Sequence, residues 1–237
     1  MVVPAFNEEK LLAASLASIR DAMSSFTAKG WVTELIVCDN NSTDRTAEIA
    51  RAAGAIVVFE PVNQIGRARN CGAAAASGDW LVFVDADSHP SSELFAEVAL
   101  TIESGNCLFG GVTVKMDGRH LFGRALTALW NAISRIGKYA AGSFIFCETS
   151  AFRKIGGFDN QLFANEEVDL SKRLRSVARA TGKRSVILHR HPILTSDRKI
   201  RLYSSRELFR LIFRVTFTFR RTVRDREACH LWYDGRR

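Results

Sequence analysis

An α/β protein with a mainly parallel central sheet flanked by helices, carrying a basic helical segment at its C-terminal end, is predicted by three observations. Short β-rich runs alternate with longer helical stretches through the first hundred residues, the sequence pattern of repeated βαβ units. Five successive apolar residues, Trp80 to Val84, read as a strand buried on both faces, as strands of parallel sheets are. Charge is split: residues 198–237 hold 12 Lys and Arg against 4 Asp and Glu, whereas residues 1–197 hold 21 of each. At 237 residues and 47% hydrophobic composition the chain can bury a substantial core, which excludes disorder as its default state.

Taken in order, Val2 and Val3 open a first strand that Pro4 closes early, so the chain is expected to start inside that strand. Helices are predicted over 8–24, 44–53, 66–76 and 91–103, and strands over 35–38, 55–59 and 81–84. Ser42 or Asp44 would cap the second helix, and the Ala-rich third helix is suited to close packing. Beyond Leu108 the pattern becomes Gly-rich and mixed: a run FGGVTV, a helix over 121–136, a run GSFIFC, a turn at Gly156-Gly157 and a helix over 166–180. No repeat or low-complexity linker interrupts it. We therefore expect subregions of one domain: a nucleotide-binding part over 1–105, an acceptor-side part over 106–200 and a basic amphipathic segment over 201–237. Five cysteines without C-x-x-C spacing indicate buried free thiols rather than zinc or disulfides. No apolar stretch reaches the ~18 residues that span a bilayer, and Glu8, Glu9 and Lys10 come too early for a signal-peptide core, so a cytoplasmic location is expected.

Asp85-Ala86-Asp87 follows the buried run directly, and ligands of open α/β sheets sit beyond the carboxyl ends of such strands. On an extended backbone the two acids point to one side, as hard oxygen ligands for Mg²⁺ or Mn²⁺ that share the ion with substrate phosphates. The plainer alternative is a cap for the following helix. Asp39 ends another strand, where an acid accepts hydrogen bonds from a base or ribose, or else serves as a helix cap. Arg67 and Arg69 fall in the first turn of the 66–76 helix, either at an anion site or on a solvated face. Glu166, Glu167 and Asp169 form a third acidic cluster, in which Asp169 and Arg173 are spaced to pair and at most one of the two glutamates is expected to enter a pocket. A carboxylate at that helix start is a candidate general base. His189 and His191 alternate on a strand, as metal or phosphate contacts or as ordinary surface residues.

The segments VVPAFNEEKLL, ELIVCDNNSTDRTAEIA, GRARNCGAAAASGDWLVFVDADS and GGFDNQLFANEEVDLSKRL, in this order over residues 1 to 200, resemble the family 2 glycosyltransferases of the GT-A fold. The resemblance implies an inverting transfer from a UDP- or GDP-linked sugar to an acceptor hydroxyl, assisted by Mg²⁺ or Mn²⁺. It also implies that Pro4, Ala5 and Glu8 border the nucleotide pocket, that Asp39 contacts the base, and that Arg67 lies near the diphosphate. Asp85 and Asp87 match the family's D-x-D, contacting ribose and metal, and His189 is a further candidate metal contact. Glu166-Glu167 stands where the family commonly has Glu-Asp, which makes Glu167 the implied base, one methylene longer than usual.

Two other readings remain. A nucleotidyltransferase of sugar phosphates also gathers acids around a metal, but calls for a Gly-rich, basic N-terminal loop that PAFNEEKLL lacks. A non-catalytic membrane-binding module would put the function in the basic end. Over 205–226, Leu208, Leu211, Ile212, Val215 and Phe219 follow helical spacing among arginines, which suits either an anionic membrane surface with a lipid-linked acceptor or packing on the body. Because the excess charge is confined to that end, the body is not expected to bind nucleic acid.

Overall fold

The computed structural model describes residues 1–118, 121–196, 198, 223–225 and 229, and of Leu121 and Phe122 the backbone alone. The predicted 205–226 segment lies outside these apart from Val223, Arg224 and Asp225. Eight strands form one sheet, β1 (Val2–Ala5), β2 (Ile36–Asp39), β3 (Ile56–Phe59), β4 (Trp80–Val84), β5 (Ser88–His89), β6 (Cys107–Met116), β7 (Phe144–Glu148) and β8 (Arg184–Thr195). The helices are α1 (Leu12–Thr27), α2 (Thr46–Ala52), α3 (Ile65–Ala75), α4 (Ser92–Glu103), α5 (Leu121–Gly137), α6 (Thr149–Lys154) and α7 (Glu166–Ala180).

The strand order is β3-β2-β1-β4-β7-β6-β8-β5. β1 pairs parallel with β2 and β4, β2 with β3, and β6 with β8, while β7 runs antiparallel between β4 and β6. The parallel half thus ends at a switch beside β4, so the carboxyl ends of β1, β2 and β4 open on one edge. β1 runs through Pro4 to Ala5, further than the sequence suggests. Pairing to β4 is confined to Val2 and Phe83, so by Pro4 that neighbour no longer needs a backbone donor from β1.

α1 presents Leu12, Leu16, Ile19 and Phe26 to the core, where Phe26 stacks on Phe95 of α4 at a centroid distance of 5.0 Å. It starts at Leu12, not at 8, because the Glu8 carbonyl closes a turn onto Leu11 and Leu12 and Asn7 is left-handed at φ 52°. Ser91 caps α4, its side chain accepting from the Leu94 N–H at 3.2 Å. α3 lies so close on β1 and β2 that a Cβ at Gly72 would come 2.5 Å from Val2 Cγ1, which leaves room for glycine alone. Cys38, Cys107, Cys147 and Cys229 are buried, Cys71 is half-buried, and all five are free thiols. Among the described residues no helix is long and apolar enough to cross a membrane.

Candidate active site

The parallel register brings Ala5 beside Asp39, and Asn40 N–H donates to the Ala5 carbonyl at 2.8 Å. Asp39 is buried at the end of β2, where its carboxylate accepts from Ser42 N–H at 3.0 Å. Asp44 serves the entry to α2, accepting from the backbone N–H of Thr46 and of Glu9. Asn40, not singled out from the sequence, ties down the loop into α3. Its amide donates to the carbonyls of Glu60 and Val62 and its oxygen accepts from Gln64 N–H.

From the start of α3, Gln64 donates to the carbonyls of Asn160 and Leu162 and accepts from Arg67 Nε at 3.1 Å. Arg67 is half-buried there. Arg69, two residues on, is fully buried and is the centre of the site. Its Nη2 donates to Asp85 Oδ1 at 2.9 Å and to the Gly142 carbonyl at 2.9 Å, and its Nη1 donates to Glu166 Oε1 at 2.8 Å. The Phe158 ring lies 5.3 Å from the guanidinium carbon. One cation thus joins the ends of β4 and α7 and the loop before β7. Singling out Arg67 over Arg69 overlooked a legible signal: Gly66, Arg69 and Ala73 share the buried i, i+3, i+7 face, and Arg67 does not.

Asp85 and Asp87 do not lie on an extended backbone as the sequence suggests. Ser88 N–H bonds the Asp85 carbonyl at 3.1 Å, and the turn sends the two carboxylates to different cations. Asp85 meets Arg69. Asp87 lies 3.8 Å from Arg198, whose guanidinium holds Glu8 through two hydrogen bonds of 2.7 and 3.0 Å. Glu8 is buried, and Arg198 Nε is buried with no hydrogen-bond partner among the described residues. With Glu8 and Arg198 separated by 190 positions in sequence, no local pattern announces that pair.

At the start of α7, after a left-handed Asn165, Glu166 is buried against Arg69 and Glu167 stays outside that ion pair. Burial of the Glu167 carboxyl, together with the charge of Glu166, pushes it up to about 8, against a smaller lowering by Arg69. Asp169 and Arg173 pair at 2.7 Å, and Arg173 also donates to the carbonyls of Ile155 and Gly157.

His189 is not brought to the acids. It is exposed on β8 beside Ala132, Arg135, Ile136 and Lys138 of the α5 region. The expected alternation with His191 fails because the β6–β8 register slips: Val112 pairs with Leu188 but Val114 with Ile193, so residues 189–192, Pro192 among them, bulge out of the ladder. Among the described residues no three His, Cys, Asp or Glu side chains form a metal cage. Asp85 and Asp87 still fit a hard dication, as carboxylates 26% and 14% exposed at the cleft, provided phosphate and water complete its sphere.

The profile of the family described as "Glycosyl transferase family 2" matches residues 1–155. The chain is 31% identical over 137 residues to an uncharacterized glycosyltransferase of Mycobacterium bovis, covering 58% of this chain and 54% of that one. It is similar in structure to the mannosyltransferase PcManGT of Pyrobaculum calidifontis in complex with GDP-Man and Mn²⁺, with a TM-score of 0.67, 17% identity, and 97% and 67% of the two chains covered. The glucosyl-3-phosphoglycerate synthase of Mycobacterium tuberculosis, in complex with Mn²⁺, UDP-Glc and phosphoglyceric acid, aligns with a TM-score of 0.56 and 25% identity over 79% of this chain and 68% of that one. The chain spans between 23% and 54% of the length of the curated relatives it matches.

Proposed function

Because the chain belongs to glycosyl transferase family 2, we propose that it transfers a sugar from a UDP- or GDP-linked donor to an acceptor hydroxyl with inversion. The observation that carries this reading is the convergence on Arg69 of Asp85, from a parallel strand's carboxyl end, and Glu166, from the start of α7, with Glu167 left outside the ion pair. In this reading Pro4, Ala5, Glu8 and Asp39 form the nucleoside pocket, and Arg67 at the start of α3 faces the diphosphate. Asp87 and Asp85 would hold Mg²⁺ or Mn²⁺, which would neutralise charge on the departing diphosphate. The like ions in the mannosyltransferase and synthase complexes support that choice.

Glu167, in its carboxylate form, takes the proton from the acceptor hydroxyl as the hydroxyl oxygen bonds the anomeric carbon from the face opposite the leaving nucleoside diphosphate. One displacement of this kind inverts that carbon. Glu166, held by Arg69, does not compete for the acceptor, and its charge raises its neighbour's proton affinity. The basic 205–226 segment, in the same reading, brings an anionic membrane surface and a lipid-linked acceptor to the site.

A screen of UDP- and GDP-sugars with Mn²⁺, reading nucleotide release, tests the proposal. Asp87→Ala is expected to lose turnover and metal-dependent nucleotide binding, and Asp39→Ala mainly to weaken nucleotide binding. Turnover that survives in Asp87→Ala after metal removal would refute the assignment.

A further inference from the structure

α5 is built the wrong way round for a helix that covers a core. Its inward side carries Thr127 and Ser134, both buried, and Asn131, whose amide clasps both backbone groups of Val114 at 2.9 Å. Trp130 is its large apolar contact with the core. The outward side carries Leu129, Ile133 and Ile136 at i, i+4, i+7, exposed by 58%, 45% and 85%, with Ala125, Ala128 and Ala132 exposed among them. An amphipathic helix turns its apolar stripe to whatever shields it from water, and among the described residues nothing covers this stripe, which leaves it open to a partner.

Charge identifies the partner. α5 contains no Asp or Glu, its Arg124 and Arg135 are exposed, and so are Lys138 just past its end and His189 and Arg190 on β8. Asp117 is the acid nearest in sequence, ahead of the helix. A protein surface of mixed sign gives a helix no reason to carry cations alone among its charged residues, whereas an anionic lipid surface does. We propose that the outer face of α5 docks on an anionic membrane, its apolar stripe entering the acyl boundary and its cations meeting the headgroups. The placement suits the site: five residues beyond the end of α5, the Gly142 carbonyl accepts from Arg69, and Arg175 of α7 donates to the Gly137 carbonyl at the helix end.

Sedimentation of the full chain with phosphatidylcholine vesicles, with and without phosphatidylglycerol, tests it. The wild type should bind the anionic vesicles alone and come off in high salt. L129Q/I133Q/I136Q, all at exposed positions, should bind about tenfold more weakly, and R135E/K138E, which keeps the stripe, should lose the preference for anionic lipid. An unchanged far-UV spectrum and melting temperature establish that both variants fold. Vesicle binding that both variants retain in full would overturn the proposal and assign it to another segment. Absence of wild-type binding would overturn it too, as would a wild type that self-associates through this stripe and ignores lipid.

Discussion

Arg69 is the residue on which the site depends, because its one charge sits between two carboxylates in a buried position. Arg69→Ala would leave Glu166 buried without its cation and should destabilise the fold by about 3–5 kcal/mol. Arg69→Met combined with Glu166→Gln should recover much of that loss in a melting experiment while leaving activity low. Glu167 makes a different prediction. Its carboxyl is raised to about 8, so the folded protein holds a proton that the unfolded chain has lost above its ordinary range. The stability this contributes is present at acid pH and declines as pH rises from about 4.5 to about 8. Glu167→Gln should therefore be more stable than wild type at pH 9, by ~1 kcal/mol or more, with little difference at pH 4. In the same variant the transfer rate should fall about 100-fold or more with donor affinity unchanged. A dead Glu166→Gln beside an active Glu167→Gln would reverse the two roles.

At the scale of the element, α3 shows how packing positions chemistry. Its small residues let it lie against β1 and β2, and that closeness carries Arg69 to the end of β4. Gly72→Val places a branched side chain where a Cβ alone comes 2.5 Å from Val2. It should cost about 2–3 kcal/mol by forced displacement of the helix, read as a lower denaturation midpoint, and should reduce turnover beyond the loss of folded protein. The Ala-rich face and its close packing were legible in the sequence. The bulge at 189–192 was not: two histidines at alternate positions read as one face of a strand until the β6–β8 pairing inserts the extra residues.

Across the whole molecule, the Glu8–Arg198 pair ties the loop after β1 to the residues just beyond β8 and holds Asp87 at its edge. Because Glu8 and Arg198 are both largely buried, Glu8→Gln and Arg198→Gln should be non-additive, with a coupling energy of about 1–3 kcal/mol in a double-mutant cycle on stability. Full additivity would mean that the pair does not hold the two ends together. The single sheet runs unbroken from the strands that carry Ala5, Asp39 and Asp85 at their ends to those behind α5 and α7.

What the sequence by itself determined is whatever depends on neighbours along the chain. Alternation and apolar runs fixed most strands and helices, turn chemistry placed Asp39 and Asp44, and the acids at 85, 87, 166 and 167 were visible as motifs. Only the tertiary structure decided which cation each acid meets, that Glu166 pairs with Arg69 while Glu167 does not, that β7 runs antiparallel, and that α5 turns its apolar stripe outward. Charge pairing and burial act over a few ångströms in space with no regard for separation in sequence. A pair 190 residues apart therefore leaves no periodic trace for a reader of the chain.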